Sequence, residues 1–463
     1  MTQVVAAFTV EPARRVFIGF DPTTGERLWT GQARDAVGIV GPPGYGKSSG
    51  VIIPALMAWN GPAVATSTRA DLLRFTGDQR TRIARSGSGR AAGRVYVYDP
   101  FGSEPDLAGV GWSPLQDCAN PAVAYRRVHA MTATAAQGVT NADHWRQGAA
   151  RILRGYFHAA ALAGFTLSTV RRWLARQDTE EPVALLNADD RAAAGWADDL
   201  VGLRQVGERE RGSFFSTAMG VLDATVEPAV AASCDAASLD IDEFLATSST
   251  LFIVGPSHYQ DVVAPLVVGL VDAIAQRAAE LAARQRGVLD PPLLLALDEV
   301  ANIAPLRSLP ALVSEGGGRG ITTLWAVQSL AQLRERYGRD AQQAILSATT
   351  GKLIFGGLSN GEDLRDISSW AGEYREMQTT LYLGGDAFTS PAQPGRLTSE
   401  PGRQHAIGGL YRPVLPVQAI QQLPPLNAWL FYRSDPPLMV ATPPAGTLAA
   451  YDGLAGYTPG GPA

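Results

Sequence analysis

Residues 41–48 read Gly41-Pro42-Pro43-Gly44-Tyr45-Gly46-Lys47-Ser48 and match the phosphate-binding pattern G-x-x-x-x-G-K-[ST]. The apolar run Ala36–Val40 precedes this stretch and a helical pattern begins at Ser48, so the glycines fall at a strand-to-helix turn. Loop amides and the helix N-terminus then face a phosphate group, where the helix dipole favours negative charge. The alternative is a glycine-rich strand-to-helix turn that matches the pattern by accident.

Lys47 is one of two lysines in the chain, and every other basic residue among the 39 Lys and Arg is arginine. A slim ammonium group reaches the β- and γ-phosphates inside a tight loop, where a planar guanidinium fits badly. The stretch therefore predicts binding of ATP. The residues predicted to contact it are Gly41, Pro42, Pro43, Gly44, Tyr45, Gly46, Lys47, Ser48 and Ser49. The second lysine, Lys352, has no role that the sequence assigns.

Two carboxylates, Asp298 and Glu299, follow the apolar run Leu293–Leu297. This is the Walker B arrangement, in which Asp298 and the Ser48 hydroxyl would hold Mg²⁺ and Glu299 would polarise the attacking water. Alone, the pattern fits a strand that leads into a polar turn equally well. Together with the P-loop, the pattern favours the catalytic interpretation. We expect the carboxylates at the end of the strand beside the P-loop strand.

Two further residues are candidates for the catalytic site. Gln328 ends the next apolar run, Thr322–Val327, and would place an amide near the γ-phosphate; a glutamine that merely bonds a loop is equally plausible. Arg319 lies in the glycine-rich stretch 315–320 and suits an arginine finger that acts on a neighbouring subunit. A solvated surface arginine is about as plausible.

Short apolar runs alternate with helical patterns, which predicts a wound α/β core with a mostly parallel sheet. The predicted strands are Ala36–Val40, Ala63–Thr66, Val95–Tyr98, Thr250–Val254, Leu293–Leu297, Thr322–Val327 and Lys352–Phe355, with Ala428–Tyr432 and Leu438–Ala441 as a terminal hairpin or edge strands. Helical patterns cover Ser48–Trp59 and Val263–Ala283.

The span between the runs at Val95 and Thr250 has helical periodicity and no strand pattern. Its predicted helices are Ala122–Ala136, His144–Ala163, Thr169–Arg176, Asp190–Leu203, Ser213–Val226 and Ile241–Ala246. We therefore predict a nucleotide-binding domain in two parts, residues 1–111 and 248–445, an inserted all-α domain at 112–247, and a flexible tail at 446–463. A flexible loop is predicted from about Gly384 to Gly409.

Composition limits the function classes. The net charge of −5 and the pI near 5.7 argue against a broadly basic surface, so any DNA binding would be local, as in a ring pore. Cys118 and Cys234 have no metal-site spacing and are expected to be buried thiols. No apolar run reaches the length of a membrane span, since Val262–Ala275 is short and carries Asp272. The expected location is cytoplasmic.

With these features in order, the chain resembles the coupling proteins of type IV secretion, the TraG/TraD-like conjugation ATPases. The most specific blocks are Val97-Tyr98-Asp99-Pro100 with Trp112-Ser113-Pro114-Leu115, and Gln328-Ser329-Leu330-Ala331-Gln332-Leu333. Further blocks are the P-loop, Gly61–Thr66 with Asp71-Leu72-Leu73, Leu297-Asp298-Glu299, Arg319-Gly320-Ile321, and Tyr411-Arg412-Pro413 with Leu423-Pro424-Pro425.

The resemblance implies a RecA-like P-loop NTPase domain with an inserted all-α domain, assembled as a homo-hexamer that can be monomeric in isolation. It implies ATP hydrolysis with Mg²⁺, coupled to translocation of single- or double-stranded DNA. The implied cargo is a DNA–relaxase complex or a secreted protein, delivered to a secretion-channel or membrane-anchor protein. The expected place of action is the inner face of the cell membrane, reached through a partner or through an N-terminal anchor removed from this chain.

Three features depart from the family pattern. This chain shows no N-terminal membrane helices, it has Gly317 where the family often has arginine, and Ser67–Asp71 replaces Asp-Pro-Lys-Gly-Glu. Two other functions stay open: an FtsK- or HerA-like DNA pump, and a docking adaptor that binds ATP with little turnover and recruits proteins through its helical domain. A cluster of Arg80, Arg82, Arg85, Arg90 and Arg94 is expected to be a solvated segment, with contact to DNA phosphates as the alternative.

Overall fold

The computed structural model describes residues 15–86, 91–104, 109–135, 141–256, 259–382 and 404–445. Within these residues eleven strands form one sheet and two form a separate antiparallel pair. The strands are β1 (Phe17–Phe20), β2 (Arg27–Trp29), β3 (Val37–Val40), β4 (Ala63–Ser67), β5 (Val95–Tyr98), β6 (Thr250–Val254), β7 (Leu293–Leu297), β8 (Ile321–Val327), β9 (Gly351–Phe355), β10 (Glu373–Tyr382), β11 (Gln404–Pro413), β12 (Asn427–Tyr432) and β13 (Leu438–Ala441).

The helices lie mostly between consecutive strands of the sheet. They are α1 (Ile53–Ala58), α2 (Asp71–Ser86), α3 (Pro121–Thr132), α4 (Ala142–Ala163), α5 (Leu167–Arg176), α6 (Glu180–Ala188), α7 (Trp196–Gly202), α8 (Glu208–Val221), α9 (Pro228–Asp235), α10 (Ile241–Ala246), α11 (Gln260–Arg284), α12 (Leu309–Glu315), α13 (Leu330–Tyr337), α14 (Arg339–Ala348), α15 (Gly361–Trp370) and α16 (Val417–Gln421). A π-helical turn, Ser48–Ile52, leads into α1.

The large sheet has the order β2-β1-β13-β12-β9-β3-β8-β7-β4-β6-β5, and the strands from β9 to β5 are parallel. Antiparallel strands extend it on the β9 side. The predicted fold class, a wound and mostly parallel α/β sheet with added helices, is confirmed. One expectation is wrong: β7 does not lie beside β3, because β8 lies between them.

Side chains on the two faces of the sheet enter two different cores. On β7, Leu293, Leu295 and Leu297 face the core that α11 completes, whereas Leu294 and Ala296 face the core built with α1. Alternation of this kind follows from the period of two in a strand, and burial of both faces explains the continuous apolar runs. The sheet is therefore a central layer with helices on both sides.

Helix α11 spans 25 residues and, among the described residues, is the one helix long and apolar enough to cross a membrane by length and composition. Of its most apolar stretch, 78% is buried inside the fold. It carries the buried Asp272, which accepts a hydrogen bond from Ser308 at 2.8 Å. Its apolar character is accounted for by packing in the core.

Helices α3 to α10 all lie between β5 and β6. Helices α3 to α9 pack around a core of their own, centred on α4, whereas α10 packs in the core that α11 completes. The block at residues 112–115 links the core centred on α4 to the sheet, because Trp112 packs in the core of α11 and Leu115 in that of α4. Arg127 fixes the block, since it donates to the Pro114 carbonyl at 2.9 Å and lies over the Trp112 ring at 4.9 Å. The division into domains stays a prediction.

Several predicted element boundaries were wrong. The helix expected over Asp190–Leu203 begins at Trp196, and α6 and α9 were not predicted. Strands β1, β2, β10 and β11 were not predicted either, and β11 occupies residues 404–409 of the predicted flexible loop. The rest of that loop, residues 384–403, and the predicted tail, 446–463, lie outside the described residues.

Arg80 was expected to lie in a solvated segment with the other arginines of its cluster, and this expectation is wrong. It lies on α2 and is fully buried, donating to the Thr250 hydroxyl at 2.6 Å and to the carbonyls of Gly61 at 2.7 Å, Leu56 at 3.1 Å and Trp59. Burial lowers its pKa to about 9, so it stays protonated at neutral pH. Because these acceptors would otherwise be unsatisfied, Arg80 is a structural residue. Arg82, Arg85 and Arg94 are exposed, and Arg90 lies outside the described residues.

Replacing Arg80 is expected to destabilise the fold. Arg80→Leu should lower the free energy of unfolding by about 3 kcal/mol, because the carbonyls at the end of α1 lose their donor. Arg85→Leu, on an exposed position of the same helix, should change it by less than about 0.5 kcal/mol. Urea unfolding measures both; equal losses would contradict this role.

Candidate nucleotide-binding site

The loop between β3 and the π-helical turn has the backbone that a phosphate cradle requires. Gly44 and Gly46 have φ of 82° and 101°, which side chains rarely adopt. A Cβ on Gly41 would lie 2.5 Å from Phe355 Cβ, so the loop leaves the sheet at a position that only glycine fits. The glycines of the sequence pattern are thus explained by local geometry.

The chain segment around Leu426 packs against the P-loop and forms a hydrogen bond with it. Leu426 donates its amide to the Tyr45 carbonyl at 3.0 Å, and a Cβ on Gly46 would lie 2.7 Å from Leu426 Cδ2. Ala445 likewise donates to the Ser49 carbonyl at 3.0 Å. The sequence did not indicate this support, because the two segments lie about 380 residues apart.

Lys47 points back into its own loop. Its Nζ donates to the carbonyls of Gly41 at 2.6 Å and Pro42 at 3.0 Å, and only 8% of the residue is exposed. Burial lowers the pKa of Lys47, while the charges of Asp298 and Glu299 oppose that shift. The ammonium therefore stands over the cradle, where an anionic phosphate would compete with two neutral carbonyls for it.

Ser48 and Asp298 are in contact, although they follow β3 and β7, which lie on either side of β8. The Ser48 hydroxyl donates to Asp298 Oδ2 at 2.6 Å, and Thr66, at the end of β4, donates to the Asp298 carbonyl at 3.1 Å. Burial raises the pKa of Asp298, and the Ser48 hydrogen bond opposes the shift. One hydroxyl and one carboxylate are oxygen ligands of the kind that Mg²⁺ takes, with substrate phosphate and water completing its shell. The predicted pair thus fits a shared Mg²⁺ site.

Glu299 has an unusual backbone. Its φ of 50° lies in the left-handed region, which costs a residue other than glycine on the order of 1–3 kcal/mol. Its amide donates to Asp298 Oδ1 at 3.1 Å, and the Glu299 carbonyl accepts from Asn302 at 2.9 Å and Ile303 at 3.1 Å. This turn directs the side chain away from the strand, and strain of this kind is concentrated at functional sites.

Gln328 lies at the end of β8, between the P-loop strand and the Walker B strand. Its Nε2 lies 3.5 Å from Glu299 Oε1, and Asn302 Nδ2 lies 3.4 Å from Glu299 Oε2. Gln332, on α13, accepts from the Gln328 amide at 2.9 Å and donates to Asn302 Oδ1 at 3.0 Å. Asn302 and Gln332 were not among the predicted site residues. The Gln-Ser-x-Ala-Gln-Leu block was the available signal for Gln332.

Arg319 is not brought to this site within one chain. It precedes β8, at the end of the sheet opposite the P-loop, and pairs with Glu315 at 3.0 Å. About half of its side chain is exposed. Any contact with nucleotide would have to be made to another subunit.

The surroundings of Gly317 explain why the chain has glycine where the family often has arginine. A Cβ there would lie 2.0 Å from the Arg34 carbonyl oxygen, so no larger residue fits.

Lys352 has a structural role. Its Nζ donates to the carbonyls of Thr349 at 2.8 Å and Leu346 at 3.2 Å, where α14 ends. Its charge suits a helix C-terminus.

One protein-family model matches part of the chain. Residues 292–425, which include β7 and Gln328, match the family described as the TraM recognition site of TraD and TraG. Over these residues the resemblance to TraG/TraD-like coupling proteins is confirmed. No curated protein sequence matches the chain significantly.

Solved structures of a conjugative coupling protein share the fold over nearly the whole chain. The bacterial conjugative coupling protein TrwBΔN70 in its unbound form is 18% identical, with a TM-score of 0.63 over 96% of this chain and 92% of that one. TrwB with the ATP analogue ADPNP is 17% identical, with a TM-score of 0.64 over 96% and 99%. TrwB with ADP and Mg²⁺ is 18% identical, with a TM-score of 0.63 over 96% and 98%. At this identity the likeness establishes the fold.

The close approach at Gly317 gives a matched pair of substitutions. Gly317→Ala should destabilise the protein by about 1–3 kcal/mol, because the new methyl group meets a backbone carbonyl that cannot move freely. Gly318→Ala is the control, since a Cβ there has nothing within 4 Å. Thermal unfolding measures the stability of both variants. Equal stability would show that the packing at Gly317 is not tight.

Proposed function

We propose that this protein is an ATP-hydrolysing coupling protein that moves DNA, or delivers a DNA–relaxase or protein substrate, to a conjugative type IV secretion channel. The observation that carries the proposal is the meeting of Lys47, Ser48, Asp298, Glu299 and Gln328 at one edge of the sheet. The shared fold with TrwB, whose structures include complexes with an ATP analogue and with ADP and Mg²⁺, supports ATP and Mg²⁺ as ligands here.

Each residue has a role that its position supports. Lys47 would exchange its loop carbonyls for β- and γ-phosphate oxygens, and the loop amides from Gly44 to Ser49 would bind the phosphates. Ser48 and Asp298 would hold Mg²⁺, which supplies charge neutralisation between the phosphates. Glu299 would accept a proton from water, and Gln328, whose amide lies beside that carboxylate, would contact the γ-phosphate or orient the water.

The proposed partners are those that the resemblance to TraG/TraD-like coupling proteins implies. A homo-hexameric ring would bring Arg319 of one subunit towards the nucleotide of the next, and DNA would pass through the ring. The family match at residues 292–425, described as a TraM recognition site, supports docking of a protein partner on this part of the chain. Action at the inner face of the membrane would then require a channel or anchor protein.

Two other functions are distinguishable by experiment. An FtsK- or HerA-like pump would translocate duplex DNA without any secretion partner. A docking adaptor would bind ATP tightly with negligible turnover even in assembled rings, and the acidic pI favours it over a broadly DNA-coating protein. The TraG/TraD family match favours the coupling protein over both.

The catalytic assignment is tested by two substitutions. Lys47→Ala should lower ATP affinity and abolish hydrolysis, because the loop loses its cation. Glu299→Gln should bind ATP normally and lose roughly 10²–10³-fold in kcat, because the amide accepts no proton. Turnover and nucleotide binding are measured with and without single-stranded DNA, with protein mass followed in the same samples.

Lys352→Met is the matched control, since it removes the other lysine of the chain and should retain turnover if its melting temperature shows that it is folded. Full hydrolysis by Lys47→Ala would refute the site.

The position of Arg319 gives a separate prediction for mixed rings. Arg319→Ala and Lys47→Ala should each be inactive alone. Mixed in equal amounts, they should regain activity, because roughly a quarter of the interfaces then join an intact P-loop to an intact arginine of the neighbour. Absence of recovery, in rings shown by mass to be mixed, would exclude Arg319 as a finger acting between subunits.

A further inference from the structure

The side chain of Gln332 connects two segments that both reach Glu299. Its Oε1 accepts the backbone amide of Gln328 at 2.9 Å, and its Nε2 donates to Asn302 Oδ1 at 3.0 Å. Ser329, which caps α13, accepts from the Gln332 amide at 3.1 Å and fixes where the helix starts. Gln332 is therefore held at both its backbone and its side chain.

These contacts fix the orientation of the side-chain amides of Gln332 and Asn302. Because Gln332 Oε1 faces an N–H donor, its Nε2 must face Asn302, and because Asn302 Oδ1 accepts that bond, its Nδ2 must face Glu299. Gln328 Nε2 approaches the other carboxylate oxygen of Glu299. Both oxygens of Glu299 thus face amide donors, and Gln332 determines the orientation of one of them.

The hydrogen bonds of the Gln332 side chain are shorter than the contacts of the amide donors with Glu299. The two bonds of the Gln332 side chain, 2.9 and 3.0 Å, are of ordinary length, whereas the donors stand 3.4 and 3.5 Å from Glu299. Contacts to catalytic groups are often long before substrate binds and tighten afterwards. Gln332 is thus held by hydrogen bonds of ordinary length, and the donors of Asn302 and Gln328 lie beside the Glu299 carboxylate without binding it tightly.

We propose that Gln332 and Asn302 are positioning residues for Glu299, forming a relay that links the end of β8 to the orientation of this carboxylate. The inference rests on the proposed function, in which Glu299 is the base and Gln328 contacts the γ-phosphate. A displacement of the Gln328 backbone on nucleotide binding would pass through the side chain of Gln332 to Asn302 and so to Glu299. Neither Gln332 nor Asn302 touches the nucleotide in this account.

The substitution Gln332→Met tests the relay, because it keeps the size of the side chain and removes both hydrogen bonds. It should lower kcat about 10- to 100-fold, since small misplacement of a catalytic group has effects of this size. The KM for ATP and the affinity for a non-hydrolysable analogue should change less than about twofold. Gln343→Met, on an exposed position of α14, is the matched control and should keep the kcat of the wild type.

Gln332→Glu separates orientation from packing. The new carboxylate can still accept from the Gln328 amide, but it cannot donate to Asn302, which would then turn its Oδ1 towards Glu299. This nearly isosteric change should therefore lower kcat at least as much as Gln332→Met. If packing alone mattered, Gln332→Glu would retain wild-type kcat and the proposal would be overturned.

The decisive measurement combines Gln332→Met with Glu299→Gln. If Gln332 acts through Glu299, the double variant should hydrolyse ATP at the same residual rate as Glu299→Gln alone, measured under single turnover. A further loss in the double variant equal to that of Gln332→Met alone would overturn the relay and leave the proposed function intact. Full activity of Glu299→Gln would instead refute Glu299 as the base, which is a failure of the proposed function itself.

Discussion

The candidate site depends on one hydrogen bond between strands that are not neighbours. Ser48 follows β3 and Asp298 follows β7, yet the hydroxyl and the carboxylate lie 2.6 Å apart because β8, between them, ends at the same level. The carboxylate is nearly buried, and its charge is balanced by Lys47 and by the donors of Ser48 and Glu299. A slip of β8 by one residue would reverse its two faces and misplace Gln328.

The same site depends on close backbone approach from a distant part of the chain. Leu426 packs against the P-loop where Gly46 has no side chain, and a Cβ on Gly50 would meet the Thr442 carbonyl at 2.2 Å. These contacts tie the antiparallel strands at one side of the sheet to the loop that would bind phosphate. The rigidity of the loop is thus a property of the whole fold, since isolated glycine-rich segments lose much entropy on ordering.

The sequence alone predicts the parallel strands well, because both faces of each strand are buried and the apolar runs are continuous. It also predicts Lys47, Ser48, Asp298 and Gln328 as neighbours, because these follow strands whose carboxyl ends share one edge. It does not predict β1 and β2, which are only four and three residues long, or β10 and β11, in which polar and apolar residues are mixed. The supports at Leu426 and Gly317 are tertiary contacts that leave no local pattern, whereas Gln332 lies in the Gln-Ser-x-Ala-Gln-Leu block but its contact with Asn302 is not visible in the sequence.

The central claim is that Lys47 leaves its own loop to bind phosphate while Ser48 and Asp298 share Mg²⁺. A structure of the protein with Mg²⁺ and a non-hydrolysable ATP analogue tests it most directly. The account predicts that Lys47 Nζ moves from the carbonyls of Gly41 and Pro42 to the β- and γ-phosphate oxygens, with Mg²⁺ on the Ser48 hydroxyl and near Asp298. Nucleotide bound elsewhere, or bound here with Lys47 still on those carbonyls, would contradict it.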